Sequence, residues 1–147
     1  MSEKRAYKKL KDALLLPGTE RRLGRVENMC DSGWPDCNGC FDGIEFWIEI
    51  KEPTEPKRST TPLFGSNHRL SVEQRNWIIN QLHAGGLVYI YIDTGRHRML
   101  MSGNLADKIN ILTLKQLLYL SLWHGVVPFH HKHHWEGIVD VILRREI

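Results

Sequence analysis

A chain of 147 residues, 41% hydrophobic and 25% charged, has the size and balance of a single soluble globular domain spanning 1–147 with a buried core. No apolar run approaches the roughly eighteen residues that a membrane span needs, and Ser2-Glu3-Lys4-Arg5 is not followed by a signal-type apolar stretch. Cys30, Cys37 and Cys40 are odd in number. They suit a reducing compartment, the cytoplasm or a host-cell cytoplasm, better than a secreted disulfide framework.

Residues 3–16 read as a helix with Ala6, Leu10, Ala13, Leu14 and Leu16 as its apolar stripe, stopped by Pro17-Gly18. Residues 20–29 read as a strand. The first 28 residues hold eight basic side chains against four acidic ones, whereas the other 119 hold twelve against thirteen. A basic end of this kind fits a polyanion such as nucleic acid, with Arg21, Arg22, Arg25, Lys4 and Lys8 as the contacts. A merely solvated helix face explains the same charges.

The next stretch organises the chain. Asp42-Gly43 is a two-residue hairpin turn, and Ile44-Glu45-Phe46-Trp47-Ile48-Glu49-Ile50-Lys51 alternates apolar and polar positions as a strand does. With that turn, Phe41 faces Ile44, Asp36 lies opposite Glu49, and Trp34 lies opposite Lys51. Opposed like charges destabilise a strand pair, so two carboxylates beside a lysine ask for a reason. A divalent cation supplies one, since hard cations take oxygen ligands. A solvent face decorated with charge is the plain alternative.

Residues 52–67 carry three prolines and no periodicity, a loop of about sixteen residues that borders substrate or serves as a disordered tether. Ser71-Val72-Glu73-Gln74 is a capping box that opens a helix running to Gly85-Gly86. Residues 87–92 read as a buried strand, and the long connection makes it parallel to 44–51. Thr113-Leu114-Lys115-Gln116 opens a further helix through Trp123, and 137–143 reads as a closing edge strand. The expected fold is α/β, a mixed sheet flanked by helices, with a motif-bearing core over about 20–92 and a helical C-terminal extension over about 104–147.

Asp36, Glu49 and the Ile50 backbone carbonyl form an oxygen set for one or two Mg²⁺ ions. Lys51, on the face of Glu49, is placed to orient water or stabilise developing negative charge. This is the constellation of metal-assisted phosphodiester hydrolysis. Pro35-Asp36 followed by Glu49-Ile50-Lys51 resembles the PD-(D/E)xK nuclease motif. Gly33-x-Pro35-Asp36, Glu49-x-Lys51, and Leu70-Ser71-x-x-Gln74 running to Ala84-Gly85-Gly86 resemble the VRR-NUC subfamily, in its small standalone, virus-like form. The resemblance implies a restriction-endonuclease-like core and dependence on Mg²⁺ or Mn²⁺. It also implies a homodimer that cuts branched or four-way (Holliday) junction DNA. It further implies an upstream acid, for which Glu27 is favoured, with Glu3 as the rival and Glu20 third. Gln74 matches a position near the active site of that family, although its place in the capping box already gives it a structural role.

Cys37 and Cys40, with Cys30 upstream, suggest zinc and a non-catalytic nucleic-acid-binding protein. The hairpin register opposes this, because residues three apart in a strand face opposite ways. His130, His131, His133 and His134 lack an acidic or cysteine partner at regular spacing, and a solvated loop accounts for them.

Overall fold

The computed structural model describes residues 2–27, 32–65, 68–127 and 133–144. The described residues form a six-stranded sheet in which spatial order follows chain order: β1 (Arg21–Arg25), β2 (Cys37–Phe41), β3 (Ile44–Lys51), β4 (Val88–Asp93), β5 (His97–Ser102) and β6 (Trp123–Val126). Four pairings are antiparallel, and β3 with β4 is parallel. That parallel step requires a crossover, which α2 (Val72–His83) supplies.

The hairpin register is the expected one, with Cys37 opposite Ile48, Gly39 opposite Phe46 and Phe41 opposite Ile44. Asp42 and Gly43 have φ of 49° and 84°, which gives the turn the twist the strands need. Asn38-Gly39, an equally good turn dipeptide, stays extended. The Phe46 ring lies over Gly39, where an added Cβ would come 2.3 Å from it. Side-chain packing, not the dipeptide, chooses the turn.

Alternation splits the sheet between two cores. One face carries Phe46, Ile48, Ile50, Tyr89 and Tyr91 against α1 (Ser2–Leu14) and α4 (His133–Ile142). The other carries Val88, Ile90, Ile92, Met99 and Met101 against Ile78 of α2, Leu117 of α3 (Leu114–Leu120), and Leu63 and Phe64 of the long loop. The loop over 52–65 is therefore part of the fold. Glu55 accepts from Thr94 Oγ1 and pairs with His97 Nδ1 at 2.9 Å, while the Leu63 amide donates to the Leu112 carbonyl at 3.0 Å.

Several boundaries differ from the sequence reading. The segment 137–143 is the end of α4, not a strand: Ile138, Val139 and Ile142 share one helical face and are fully buried against α1's core. Tertiary burial overrides the strand preference of that β-branched run. The helix from Thr113 stops at Leu120, and Trp123 begins β6 with a buried–exposed alternation. β5 was not anticipated, and β1 ends at Arg25. Trp34 does not pair with Lys51; its ring packs 5.5 Å from Trp47 and 5.3 Å from Trp77. Among the described residues no helix is long and apolar enough to cross a membrane.

Candidate active site

The site begins where a proline ends a ladder. β2 starts at Cys37, and the Asp36 carbonyl still accepts from the Val26 amide at 2.8 Å, so Asp36 is held beside β1. Continued by two residues, the β2–β3 register would set Pro35 opposite Ile50. A proline has no amide hydrogen to give the Ile50 carbonyl. The Ile50 amide is satisfied instead by a side chain, donating to Asp36 Oδ2 at 2.7 Å. Its carbonyl leaves the same edge of β3, beside that carboxylate. Pro35-Asp36 thus opens the ladder and lines the opening with oxygen.

Glu49 and Lys51 lie on the same sheet face as their β4 partners Ile90 and Ile92. Both are buried, with 2% and 9% of their surface exposed. Buried charges need partners, and Gln74 provides them. Its Oε1 accepts from the Ser71 amide at 3.0 Å and from Lys51 Nζ at 3.3 Å; its Nε2 donates to Glu49 Oε1 at 3.2 Å. Ser71 Oγ accepts from the Gln74 amide in return, which completes the capping box. One amide side chain caps the helix and joins the carboxylate to the ammonium. Lys51 Nζ lies 3.9 Å from Glu49 Oε1 and also donates to the Arg69 carbonyl at 3.5 Å.

A residue from the far end of the chain holds this helix start in place. Asn110 Oδ1 accepts from the Leu70 amide at 2.9 Å and Asn110 Nδ2 donates to the Leu70 carbonyl at 3.0 Å. Leu70 is thereby pinned one residue before the cap. Nothing in the sequence signals this clamp, because the partners are forty residues apart and only the fold brings them together. Gly33 adds a second constraint. With φ of 92°, it packs where a Cβ would lie 2.6 Å from the Glu73 carbonyl oxygen, so the approach to Asp36 runs tight against α2.

Cys37 reports the local electrostatics. Burial pushes its thiol pKa up, and the Asp36 and Glu49 carboxylates push it further, so the thiol stays protonated beneath two nearby negative charges. Cys37 is buried among the α1-side residues, whereas Cys40 is half-buried one register step from Gly39 on the alternate face. Cys30 lies outside the described residues.

The described residues contain no group of three or more His, Cys, Asp and Glu side chains able to hold a metal. The Asp36 carboxylate sits at the Ile50 amide, one residue from Glu49, so the candidate donors at this point of β3 are two carboxylates and the Ile50 main-chain carbonyl, all oxygen. That donor set suits Mg²⁺ or Mn²⁺, which are often held by one or two carboxylates while keeping waters, and does not suit zinc. The residues present therefore fit a hard divalent cation.

Other expected site residues stand apart. Glu27 is exposed beyond the end of β1, and the pairing of Val26 with Asp36 sets it on the alternate position. No described hydrogen bond or ion pair joins it to Asp36 or Glu49. The Glu20 carbonyl accepts from the Asp42 amide, which puts Glu20 at the turn end of the hairpin. Glu3 and Lys4 are on α1, but their side chains lie outside the described residues. Arg21 is drawn into the structure: Glu136 of α4 takes its guanidinium bidentately at 2.8 and 2.9 Å, and its pKa rises chiefly through those hydrogen bonds. Arg25 lies 5.8 Å over the Tyr7 ring, while Arg22 and Lys8 are exposed. Arg21, Arg22 and Arg25 line one cavity together with Lys11. His130 and His131, like the side chain of His133, are outside the described residues. His134 bonds to the His124 carbonyl at 3.1 Å, and its own carbonyl accepts from Trp123 Nε1 at 2.8 Å.

No family model and no curated protein sequence matches the chain. Among solved structures it is similar to the Holliday junction resolvase Hjc of Archaeoglobus fulgidus, with a TM-score of 0.52. The match covers 80% of this chain and 89% of that one, at 14% sequence identity. The fold is restriction-endonuclease-like. At that identity the likeness speaks for the fold alone, so chemistry has to be argued from the side chains that this fold brings together.

Proposed function

We propose that the protein is a divalent-metal-dependent endodeoxyribonuclease of the PD-(D/E)xK kind, VRR-NUC-type, selective for branched or four-way junction DNA. One observation carries the reading. Asp36 meets the edge of β3 at Ile50, and Glu49 and Lys51 are buried together under one amide, Gln74. The restriction-endonuclease-like fold supports it, as does the activity named for the structural neighbour.

In this mechanism Asp36, Glu49 and the Ile50 carbonyl would hold Mg²⁺ or Mn²⁺. When bound, the ion supplies Lewis-acid polarisation of the phosphoryl oxygen and activation of water. The remaining work falls to the chain itself. An ammonium has three donors; Lys51 spends two on the Arg69 carbonyl and Gln74, which leaves one for the attacking water or a phosphoryl oxygen. Gln74 fixes the Lys51 ammonium and the Glu49 carboxylate in one geometry, so neither has to reorganise as charge develops. Paired cuts on a symmetric junction call for two related sites, and a homodimer follows from that.

The test compares four-way, flap, single-stranded and linear duplex DNA with Mg²⁺ or Mn²⁺ present. Four-way or flap substrates are cut fastest, and Asp36→Asn and Glu49→Gln cut none of them. Variants that cut as well as the parent overturn the site, and equal cutting of all four substrates overturns the selectivity.

A further inference from the structure

A cavity of about 480 Å³ opens beside the candidate site, at the carboxyl ends of β3 and β4. The crevice beyond the carboxyl ends of neighbouring parallel strands is where open α/β sheets bind ligands. Here α1 sends two cations into it. Arg5 and Lys9 are one helical turn apart, so they project from the same side of the helix. His68 also lines the cavity and Thr54 adds a hydroxyl. The cavity adjoins the candidate site through the chain on both sides. Glu52 in its lining follows Lys51, and His68 precedes Arg69, whose carbonyl accepts from the Lys51 ammonium.

The carboxylates of the lining are already engaged. Asp93 takes the Gly95 amide at 2.8 Å and Arg98 Nε at 3.2 Å, and Glu52 has a partner within the chain. Among the described residues no ion pair takes up Arg5 or Lys9, and both are exposed. The unspent charge of the cavity is therefore positive, and its mouth is next to groups that suit a phosphodiester.

We propose that this cavity binds a backbone phosphate of the nucleic-acid strand flanking the one held at Asp36, Glu49 and Lys51, with Arg5 and Lys9 as its cationic ligands and His68 and Thr54 as hydrogen-bonding partners. The assignment rests on the nuclease reading for the position of the strand. It rests on the cavity itself for the phosphate.

The experiment measures binding of a labelled four-way junction by anisotropy in EDTA, across a salt series, so that no cleavage enters. Each neutralised phosphate contributes about −0.9 to the slope of log K against log salt. Arg5→Gln/Lys9→Gln should make that slope shallower by about 0.9, whereas Lys108→Gln/Lys115→Gln, which removes the same charge from the sheet face away from α1, should leave it within error of the parent. Melting by circular dichroism establishes that both doubles fold. A second arm follows the His68 ring by NMR with a short oligonucleotide and with inorganic phosphate at equal phosphate concentration. The oligonucleotide should shift it more.

A slope unchanged in the Arg5/Lys9 double, or changed as much in the control, overturns the proposal. So does a His68 shift at least as large with inorganic phosphate, which would make this a site for small phosphates. A parent protein that binds junctions through the cavity but never cuts them overturns the nuclease reading and leaves the cavity standing. A parent that cuts with a slope insensitive to Arg5 and Lys9 does the reverse.

Discussion

The two faces of β3 are made from consecutive residues and behave as different materials. Phe46, Ile48 and Ile50 meet α1 and α4 across a layer of hydrophobic side chains with the Cys37 thiol buried in it and no charged group among its buried residues. One position along, Glu49 and Lys51 are equally hidden on the α2 face, yet each carries a charge there. An apolar face gains free energy from burial, whereas a charged face spends part of that gain on desolvation and keeps the charges in place through hydrogen bonds. The comparison suggests that the first face determines how stable the protein is and the second determines what it does.

The sharpest way to break this division is to damage the stable face. Ile138→Ala, in the part of α4 packed on that layer, should cost about 2–5 kcal/mol by the cavity it leaves. Denaturant unfolding would read that loss, while cleavage per folded molecule stays at the parent level. A proportional loss of specific activity would mean that the two faces are not separable. The complementary change removes both charges at once. Glu49→Gln/Lys51→Met leaves no unpaired ion, and should hold stability or raise it by about 1–4 kcal/mol while cleavage disappears. A marked fall in melting temperature would instead make the pair part of the scaffold.

A finer test falls on Gln74, which belongs to both sides of the comparison. Ser71→Ala removes the cap and should cost about 0.5–2 kcal/mol of stability with cleavage largely kept. Gln74→Ala should lose stability of the same order and, in addition, about 10–100-fold in cleavage, as the loss of a group that orients metal ligands does. Equal cleavage losses in the two variants would show that Gln74 acts only through the helix end.

Much of this was legible in the chain because it depends on local pattern. A two-residue turn and a period of two set every partner from Cys37–Ile48 to Phe41–Ile44, and the same arithmetic separated Cys37 from Cys40. The capping box at Ser71 was legible for the same reason, as a fixed spacing of residue types. The parallel placement of β4 followed from the length of the connection. Failures came where burial decides. A β-branched run became α4 because its face fits the layer between α1 and Trp123; an added Cβ on Gly137 would lie 2.5 Å from that indole. The bidentate pairing of Arg21 with Glu136, 115 residues away, was equally invisible in local spacing.

By itself, then, the sequence determined the hairpin and its register from Cys37–Ile48 to Phe41–Ile44, since backbone geometry and alternation act over a few residues. Tertiary structure alone decided that Gln74 caps and bridges at once, that Asn110 pins Leu70, and that α1 turns Arg5 and Lys9 toward the carboxyl ends of β3 and β4. Those arrangements join segments tens of residues apart. No local spacing encodes them, because they exist only once the two apolar layers have closed on the sheet.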